Sequence, residues 1–234
     1  MYKDLGIKPP FFEVGPKAYL YGEGMLKLAK VIDQTAMKYD VDIIVTPQYT
    51  DIKLLADNTE RIFVFAQHMD YLPIGRGLGS VLPEAVKAAG ATGVMLNHAE
   101  KPLSMEDIRK TIARADEVGL GTIVCANTVE DVKEIARMGP NLIVAEPTDL
   151  IGTGQTSNSN YVLDTIRTVQ KINPEIMVLQ GAGISNGQDV YNMIKLGAQA
   201  TGSTSGIIKA ADPYAMVEEM IYNVRKAWNE IHNK

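Results

Sequence analysis

Short apolar runs alternate with amphipathic, helix-length stretches along the whole chain. Eight such runs lie at residues 11–14, 42–46, 62–66, 93–97, 122–126, 142–145, 176–179 and 198–202. Strands that are apolar throughout and separated by helices indicate a parallel sheet that is covered on its outer face. Eight strand–helix units within 234 residues favour a closed (β/α)8 barrel of the α/β class over an open, doubly wound sheet. The second unit is the weakest, because only residues 51–57 are available for its helix.

The composition predicts one folded domain. With 46% hydrophobic residues, the chain can bury a full core. No linker, low-complexity tract or charge run divides it. We therefore expect residues 1–234 to form a single barrel domain, with residues 1–10 as an N-terminal extension.

The distribution of charge and cysteine limits the partners and the compartment. The formal net charge is −5, and the Lys and Arg residues are scattered, so nucleic acid is not an expected partner. No apolar run approaches the roughly 18 residues of a membrane-spanning helix, and the N-terminus lacks a signal-peptide core, so no membrane partner is expected. Cys125 lies in an apolar run and is predicted to be a buried thiol without a disulfide partner. We predict a cytoplasmic protein.

Three chemically active side chains follow predicted strands. Lys17 comes after the first apolar run, His98 after the fourth and Glu146 after the sixth. In (β/α)8 barrels the carboxyl ends of the strands meet at one rim, where active sites are built, so these side chains are expected to converge. Each is a weak signal alone, because a single histidine after a strand is more often structural. Together they predict a catalytic site.

The segment after Glu146 has the features of a movable cover. Pro147 prevents the strand from simply continuing, and Gly152 and Gly154 lie at the other end of the segment. An acid on a rigid strand beside a cover that excludes water suits proton transfer. The alternative is an ordinary βα loop that carries an exposed glutamate.

Two glycine-rich segments predict a phosphate site. They lie at residues 180–185 and 201–206, after the seventh and eighth runs. Glycine lets backbone N–H groups approach an anion, and a short helix starting near Ser205 would direct its positive end toward it. Two tight turns are the alternative. No metal site is predicted, because the three histidines lie at no ligand spacing and Cys125 has no thiol partner; no cofactor is expected either.

These motifs follow the order found in the triosephosphate isomerase family, and the chain resembles its shorter, archaeal-type members from about residue 11 to residue 228. The most specific match is residues 145–154, which resemble the family's base-and-lid motif of Glu-Pro, four residues and Gly-Thr-Gly. Asn97-His-Ala-Glu100 is similar to the family's His-Ser-Glu segment. Gly15-Pro-Lys17 lies where the family has Asn-x-Lys. The segments that match its phosphate loops are residues 181–185 and 204–206.

The resemblance implies a TIM barrel that interconverts dihydroxyacetone phosphate and D-glyceraldehyde 3-phosphate through an enediolate. Glu146 would take the proton from the carbon next to the carbonyl. His98, as a neutral imidazole, would polarise the carbonyl oxygen and move the proton between the two oxygens. Lys17, paired with Glu100, would place positive charge beside the substrate. The implied contacts to this small phosphorylated sugar are Gly15, Lys17, Ile151, Gly152, Gly183, Thr204 and Ser205. The implied assembly is a homodimer or homotetramer.

The sequence also departs from the family pattern. Gly15 replaces the family's Asn, Ala99 replaces its Ser, and the implied subunit-contact loop at residues 73–80 has no Thr. The room beside Lys17 leaves open a paralogue that isomerises a four-carbon sugar phosphate, such as L-erythrulose 1-phosphate. A second alternative is a barrel that only binds phosphorylated metabolites, although such a protein would need no catalytic base.

Overall fold

Eight parallel strands close into one barrel in the computed structural model, which describes residues 1–181 and 183–232. Strand β1 pairs with both β2 and β8, in the register Val14↔Val45 and Val14↔Ser203, and so closes the sheet. This confirms the predicted (β/α)8 fold class. The strands are β1 (Phe11–Val14), β2 (Asp42–Val45), β3 (Phe63–Ala66), β4 (Gly93–Leu96), β5 (Gly121–Ala126), β6 (Leu142–Ala145), β7 (Met177–Gln180) and β8 (Ala200–Ser203).

Helices connect successive strands and cover the outside of the barrel. In the second unit, where the sequence signal was weakest, a 3-10 turn at Tyr49–Asp51 leads into a helix of five residues. The helices are α1 (Gly22–Tyr39), α2 (Ile52–Ala56), α3 (Pro83–Ala88), α4 (Met105–Val118), α5 (Val129–Ala136), α6 (Ser159–Ile172), α7 (Gly187–Lys195), α8 (Ser205–Ile208) and α9 (Pro213–His232). Among the described residues, no helix is long and apolar enough to cross a membrane.

Three predicted positions lie outside the described residues. Ala182 belongs to the predicted phosphate loop, and Asn233 and Lys234 end the predicted domain.

Polar side chains define where the covering helices begin. The Ser104 hydroxyl accepts a hydrogen bond from the backbone N–H of Asp107 at 3.1 Å, which caps α4. Thr128 and Asp131 form a reciprocal capping box at the start of α5. These caps satisfy backbone N–H groups that have no partner within the first helical turn.

The apolar core has two layers. Side chains such as Phe12 and Val14 point outward and pack against the helices, whereas Phe11 points into the barrel. This alternation follows from the two-residue repeat of a strand. Leu5 and Ile7, from the N-terminal segment, are buried in the interior cluster. A Cβ atom on Gly121, the first residue of β5, would lie 2.6 Å from Leu5 Cδ1, so this segment covers the N-terminal end of the barrel.

One buried carboxylate fastens the segment that leads into β3. Asp33 on α1 accepts hydrogen bonds from the backbone N–H groups of Glu60, Arg61 and Ile62, at 2.7 to 3.1 Å for its Oδ1 atom. The side chain is buried, so these N–H groups depend on it rather than on water. The carboxylate thereby sets where β3 enters the barrel.

We expect Asp33→Ala to lower the free energy of unfolding by about 2–4 kcal/mol, because several buried N–H groups lose their acceptor. Asp164→Ala, at an exposed position on α6, is the matched control and should change it by less than about 0.5 kcal/mol. Urea unfolding of both variants measures the difference. Equal effects at the two positions would contradict this role of Asp33.

Candidate active site

A cavity of about 530 Å³ opens at the carboxyl ends of the strands. Its floor is formed by inward-facing strand side chains, and its walls are formed by the loops that follow the strands. Every residue that the sequence placed in the site lines this cavity: Gly15, Lys17, His98, Glu100, Glu146, Ile151, Gly152, Gly183, Thr204 and Ser205. Barrel closure thus brings together residues separated by as much as 190 positions, from Gly15 to Ser205.

Lys17 forms an ion pair across the cavity mouth. Its Nζ atom donates to Glu100 Oε1 at 2.6 Å. The hydrogen bond from Lys17 lowers the pKa of the Glu100 carboxyl, and burial acts in the opposite direction. The pair joins the loop after β1 to the loop after β4.

The backbone of Lys17 adopts a left-handed conformation, with a φ of 50°. Such a conformation costs a residue with a side chain roughly 1 kcal/mol or more and persists when its surroundings hold it. Two glutamines provide that restraint: Gln48 and Gln67 both donate from Nε2 to the Lys17 carbonyl oxygen, at 2.7 and 3.0 Å. Gln67 also donates to the Thr46 carbonyl at 2.9 Å. We therefore assign these glutamines to positioning Lys17.

His98 is held in one tautomer. The backbone N–H of Glu100 donates to His98 Nδ1 at 3.1 Å, so Nδ1 is an acceptor and the proton of the neutral ring is assigned to Nε2. Burial lowers the pKa of His98, the Lys17 ammonium lowers it further, and Glu100 partly opposes them. The ring is therefore neutral at neutral pH. Its one N–H is the Nε2 proton, and its Nδ1 atom is already engaged by the backbone.

The turn before His98 is fixed by the side chain of Asn97, which has a φ of 58°. Asn97 donates from Nδ2 to the Cys125 carbonyl at 2.9 Å and accepts on Oδ1 from the N–H of Leu103 at 2.9 Å. Asparagine tolerates the left-handed region better than most residues. This turn sets the direction in which the chain leaves β4 for the cavity.

Glu146 is the first residue after β6, and its backbone is bound to the neighbouring strand. Its N–H donates to the Ala126 carbonyl at 2.9 Å, which extends the ladder of the barrel by one residue. A Cβ atom on Gly181 would lie 2.9 Å from Glu146 Cβ and 3.0 Å from its Oε1, so Gly181 leaves the space that this side chain occupies. The carboxyl group is thus placed by two strands.

The segment after Glu146 covers one side of the cavity. It contains a 3-10 turn at Thr148–Leu150, and the N–H of Thr148 donates to Asn127 Oδ1 at 2.8 Å. Gly152 and Gly154 both have a positive φ, of 74° and 75°, and both are exposed. An exposed segment with glycines in conformations that other residues avoid has the structural features of a lid.

The two loops of the predicted phosphate site are tied together. Ser203, at the end of β8, donates from Oγ to the carbonyl of Ile184 at 2.8 Å. Helix α8 begins at Ser205, as predicted, directly beside Thr204 on the cavity wall. Gly183 lines the same wall from the loop after β7.

A further cavity residue, Glu13 on β1, was not recognised in the sequence because the run at 11–14 was taken as apolar throughout. Its Oε1 accepts a hydrogen bond from the Thr46 hydroxyl at 2.9 Å. The pKa of Glu13 is raised to about 7, and burial is the largest cause. The Glu146 carboxylate raises this pKa as well, whereas the Thr46 hydrogen bond and the Lys17 ammonium lower it. An acidic residue inside a strand that is buried on both faces was the available sequence signal.

Within residues 1–181 and 183–232, no group of three or more potential ligands could hold a metal ion.

Comparison with known proteins agrees with this geometry. A sequence model of the triosephosphate isomerase family matches residues 16–220. The triosephosphate isomerase of Methanothermus fervidus is 40% identical over 203 residues, which cover 86% of this chain and 91% of that protein. The triosephosphate isomerase of Sulfurisphaera tokodaii is 37% identical over 225 residues, which cover 94% and 98%. The crystal structure of triosephosphate isomerase from Bartonella henselae shares the fold, with a TM-score of 0.75 at 17% identity, over 94% of this chain and 100% of that one. The chain belongs to the triosephosphate isomerase family.

Proposed function

We propose that this protein interconverts dihydroxyacetone phosphate and D-glyceraldehyde 3-phosphate by proton transfer, with Glu146, His98 and Lys17 as its catalytic residues. The observation that carries the proposal is the convergence of these three groups, from the ends of β6, β4 and β1, on one cavity of about 530 Å³. A cavity of this volume encloses a small sugar phosphate.

The Glu146 carboxylate removes a proton from the carbon next to the substrate carbonyl and returns it to the neighbouring carbon. A general base must be held within hydrogen-bonding reach of the proton, and the rigid position of Glu146 at the strand end provides this. The intermediate is an enediolate.

His98 and Lys17 stabilise the charge that develops on the substrate oxygens. The Nε2 proton of neutral His98 donates to the carbonyl oxygen, because Nδ1 is already occupied by the N–H of Glu100. The ring then moves a proton between the two oxygens. The Lys17 ammonium supplies positive charge, and its effect grows once closure of the lid excludes water from the site.

Backbone groups around the cavity hold the phosphate. The loop at Gly183 and the start of α8 at Thr204 and Ser205 lie on one wall, and Gly15 lies close by. Closure of the lid would add Ile151 and Gly152 to the contacts. It would also exclude water, and a water-exposed enediolate phosphate would lose its phosphate group.

The two alternatives have less support. The relatives named above are triosephosphate isomerases of similar length, which does not favour a paralogue that acts on a four-carbon sugar phosphate. A barrel that only binds metabolites has no need of a glutamate base and a neutral histidine that line the same cavity.

We expect Glu146→Gln to lower kcat by about a thousandfold, because the amide cannot accept the proton. Glu134→Gln, at an exposed position on α5, is the matched control and should keep full activity. A coupled assay with each triose phosphate measures both variants. The proposal fails if the unchanged protein does not interconvert the two triose phosphates, or if Glu146→Gln retains its rate.

We also propose that the protein is a cytoplasmic homo-oligomer. Each subunit is one domain over residues 1–234, and the subunits meet through residues 71–80. The side chain of Ile74 is 73% exposed and that of Leu78 is fully exposed, and Tyr71 adds a third exposed apolar surface on the same loop. Exposed apolar side chains grouped on one segment are typical of a protein interface. The buried thiol of Cys125 supports a reducing compartment.

We expect the double substitution Ile74→Asp and Leu78→Asp to convert the oligomer into monomers, because two carboxylates would have to be buried at the interface. Tyr214→Asp, at an exposed apolar position on α9, is the control and should leave the assembly unchanged. Sedimentation velocity gives the mass of each variant. A monomeric unchanged protein, or a double variant that stays assembled, would rule out this interface.

A further inference from the structure

The cavity floor carries a second carboxyl group, that of Glu13, for which the proposed isomerisation assigns no role. The apolar side chains of Met95, Val144 and Leu179 face the same space. Thr46 holds Oε1 at 2.9 Å. Among the described residues, none donates a hydrogen bond to Oε2. Because Glu13 lines the cavity, this atom is available to a ligand.

Two glycines create the space in which this carboxyl group lies. A Cβ atom on Gly15 would be 2.9 Å from Glu13 Oε1, and one on Gly202 would be 2.9 Å from Glu13 Oε2. Neither glycine has a positive φ, so what these positions require is space rather than an unusual backbone conformation. A side chain at position 15 would therefore displace the Glu13 carboxyl group from this position.

We propose that Glu13 is a substrate-contacting residue that determines which ligands the cavity accepts, and that as a neutral carboxylic acid it donates a hydrogen bond from Oε2 to an oxygen of the bound sugar phosphate. A neutral carboxylic acid offers an O–H donor and an acceptor oxygen, so Glu13 can accept from Thr46 on Oε1 and donate from Oε2. In this chain the acid reaches the substrate from the floor, and Gly15 leaves room for it. This inference rests on the proposed function.

The charges around Glu13 favour the neutral acid when a ligand is bound. Burial and the Glu146 carboxylate raise the pKa of Glu13 to about 7, while Thr46 and Lys17 lower it. The Cys125 thiol also faces it, and burial keeps the pKa of that thiol well above its ordinary value, so the thiol is neutral. A doubly negative sugar phosphate adds negative charge and raises the pKa of Glu13 further.

The pKa of Glu13 determines how kcat/KM changes with pH. Below pH 7 the free protein already holds the proton on Glu13, and binding needs no proton from solvent. Above pH 7 the carboxylate must be protonated as the ligand binds, so kcat/KM loses up to about tenfold per pH unit. Glu13→Gln keeps the shape and one donor but does not titrate, so it escapes this loss.

The test compares kcat/KM of the unchanged protein and Glu13→Gln from pH 6 to pH 9. We expect values within about tenfold of each other at pH 6. The ratio of unchanged protein to variant should then fall steadily above pH 7. The phosphate of the substrate titrates identically for both proteins and cancels in the ratio. Parallel profiles would overturn the role of Glu13 while leaving the isomerase assignment intact.

A second measurement does not depend on turnover. Calorimetric binding of phosphoglycolate at pH 8, in buffers of different ionisation heat, counts the protons taken up on binding. The unchanged protein should take up about one proton more than Glu13→Gln, because only the carboxylate has to be neutralised. Equal proton uptake would overturn the proposal. An inactive unchanged protein would count against the isomerisation alone, since this difference would still report on Glu13.

Discussion

The Lys17 ammonium is the charge on which the rest of the site depends. It pairs with Glu100, it lowers the pKa of His98, and it opposes the rise in the pKa of Glu13. A residue with these three effects must be held in place, since the interaction between two charges depends on their distance and is larger where water is scarce. The left-handed backbone of Lys17, restrained through its carbonyl by two glutamines, provides that accuracy.

Burial then assigns different charges to groups of the same chemical type. Glu100 lies at the exposed edge beside Lys17, so its pKa falls and it stays ionised. Glu13 lies on the floor, where the loss of water dominates and its pKa rises to about 7. The neutral state of His98 follows from the same loss of water together with the nearby ammonium. A cavity that combines the Lys17 ammonium with neutral donors suits a negatively charged substrate that becomes a more basic enediolate.

The sequence predicts the barrel because each strand and each helix leaves a local pattern, and even the short α2 could be placed by elimination. The predicted runs for β7 and β8 begin one and two residues early, because Ile176 and Ala198 are buried apolar residues just outside the strands. Glu13 and Gln48 could not be recognised in the same way. Glu13 matters because β1 and β8 close the barrel around it, and Gln48 matters because it donates to the carbonyl of Lys17, 31 residues earlier in the chain. The acidic residue inside a buried strand was a local signal for Glu13, but the contacts that both side chains make are tertiary and no local pattern encodes them.

The charge and tautomer of His98 test this account most directly. Nitrogen-15 NMR of the imidazole ring, assigned by comparison with His98→Gln, reports which ring nitrogens carry a proton between pH 5 and pH 8. The account predicts a neutral ring at pH 7, with the proton on Nε2 and Nδ1 unprotonated, and a titration midpoint below that of an ordinary histidine. A doubly protonated ring at pH 7, or a proton on Nδ1, would contradict it.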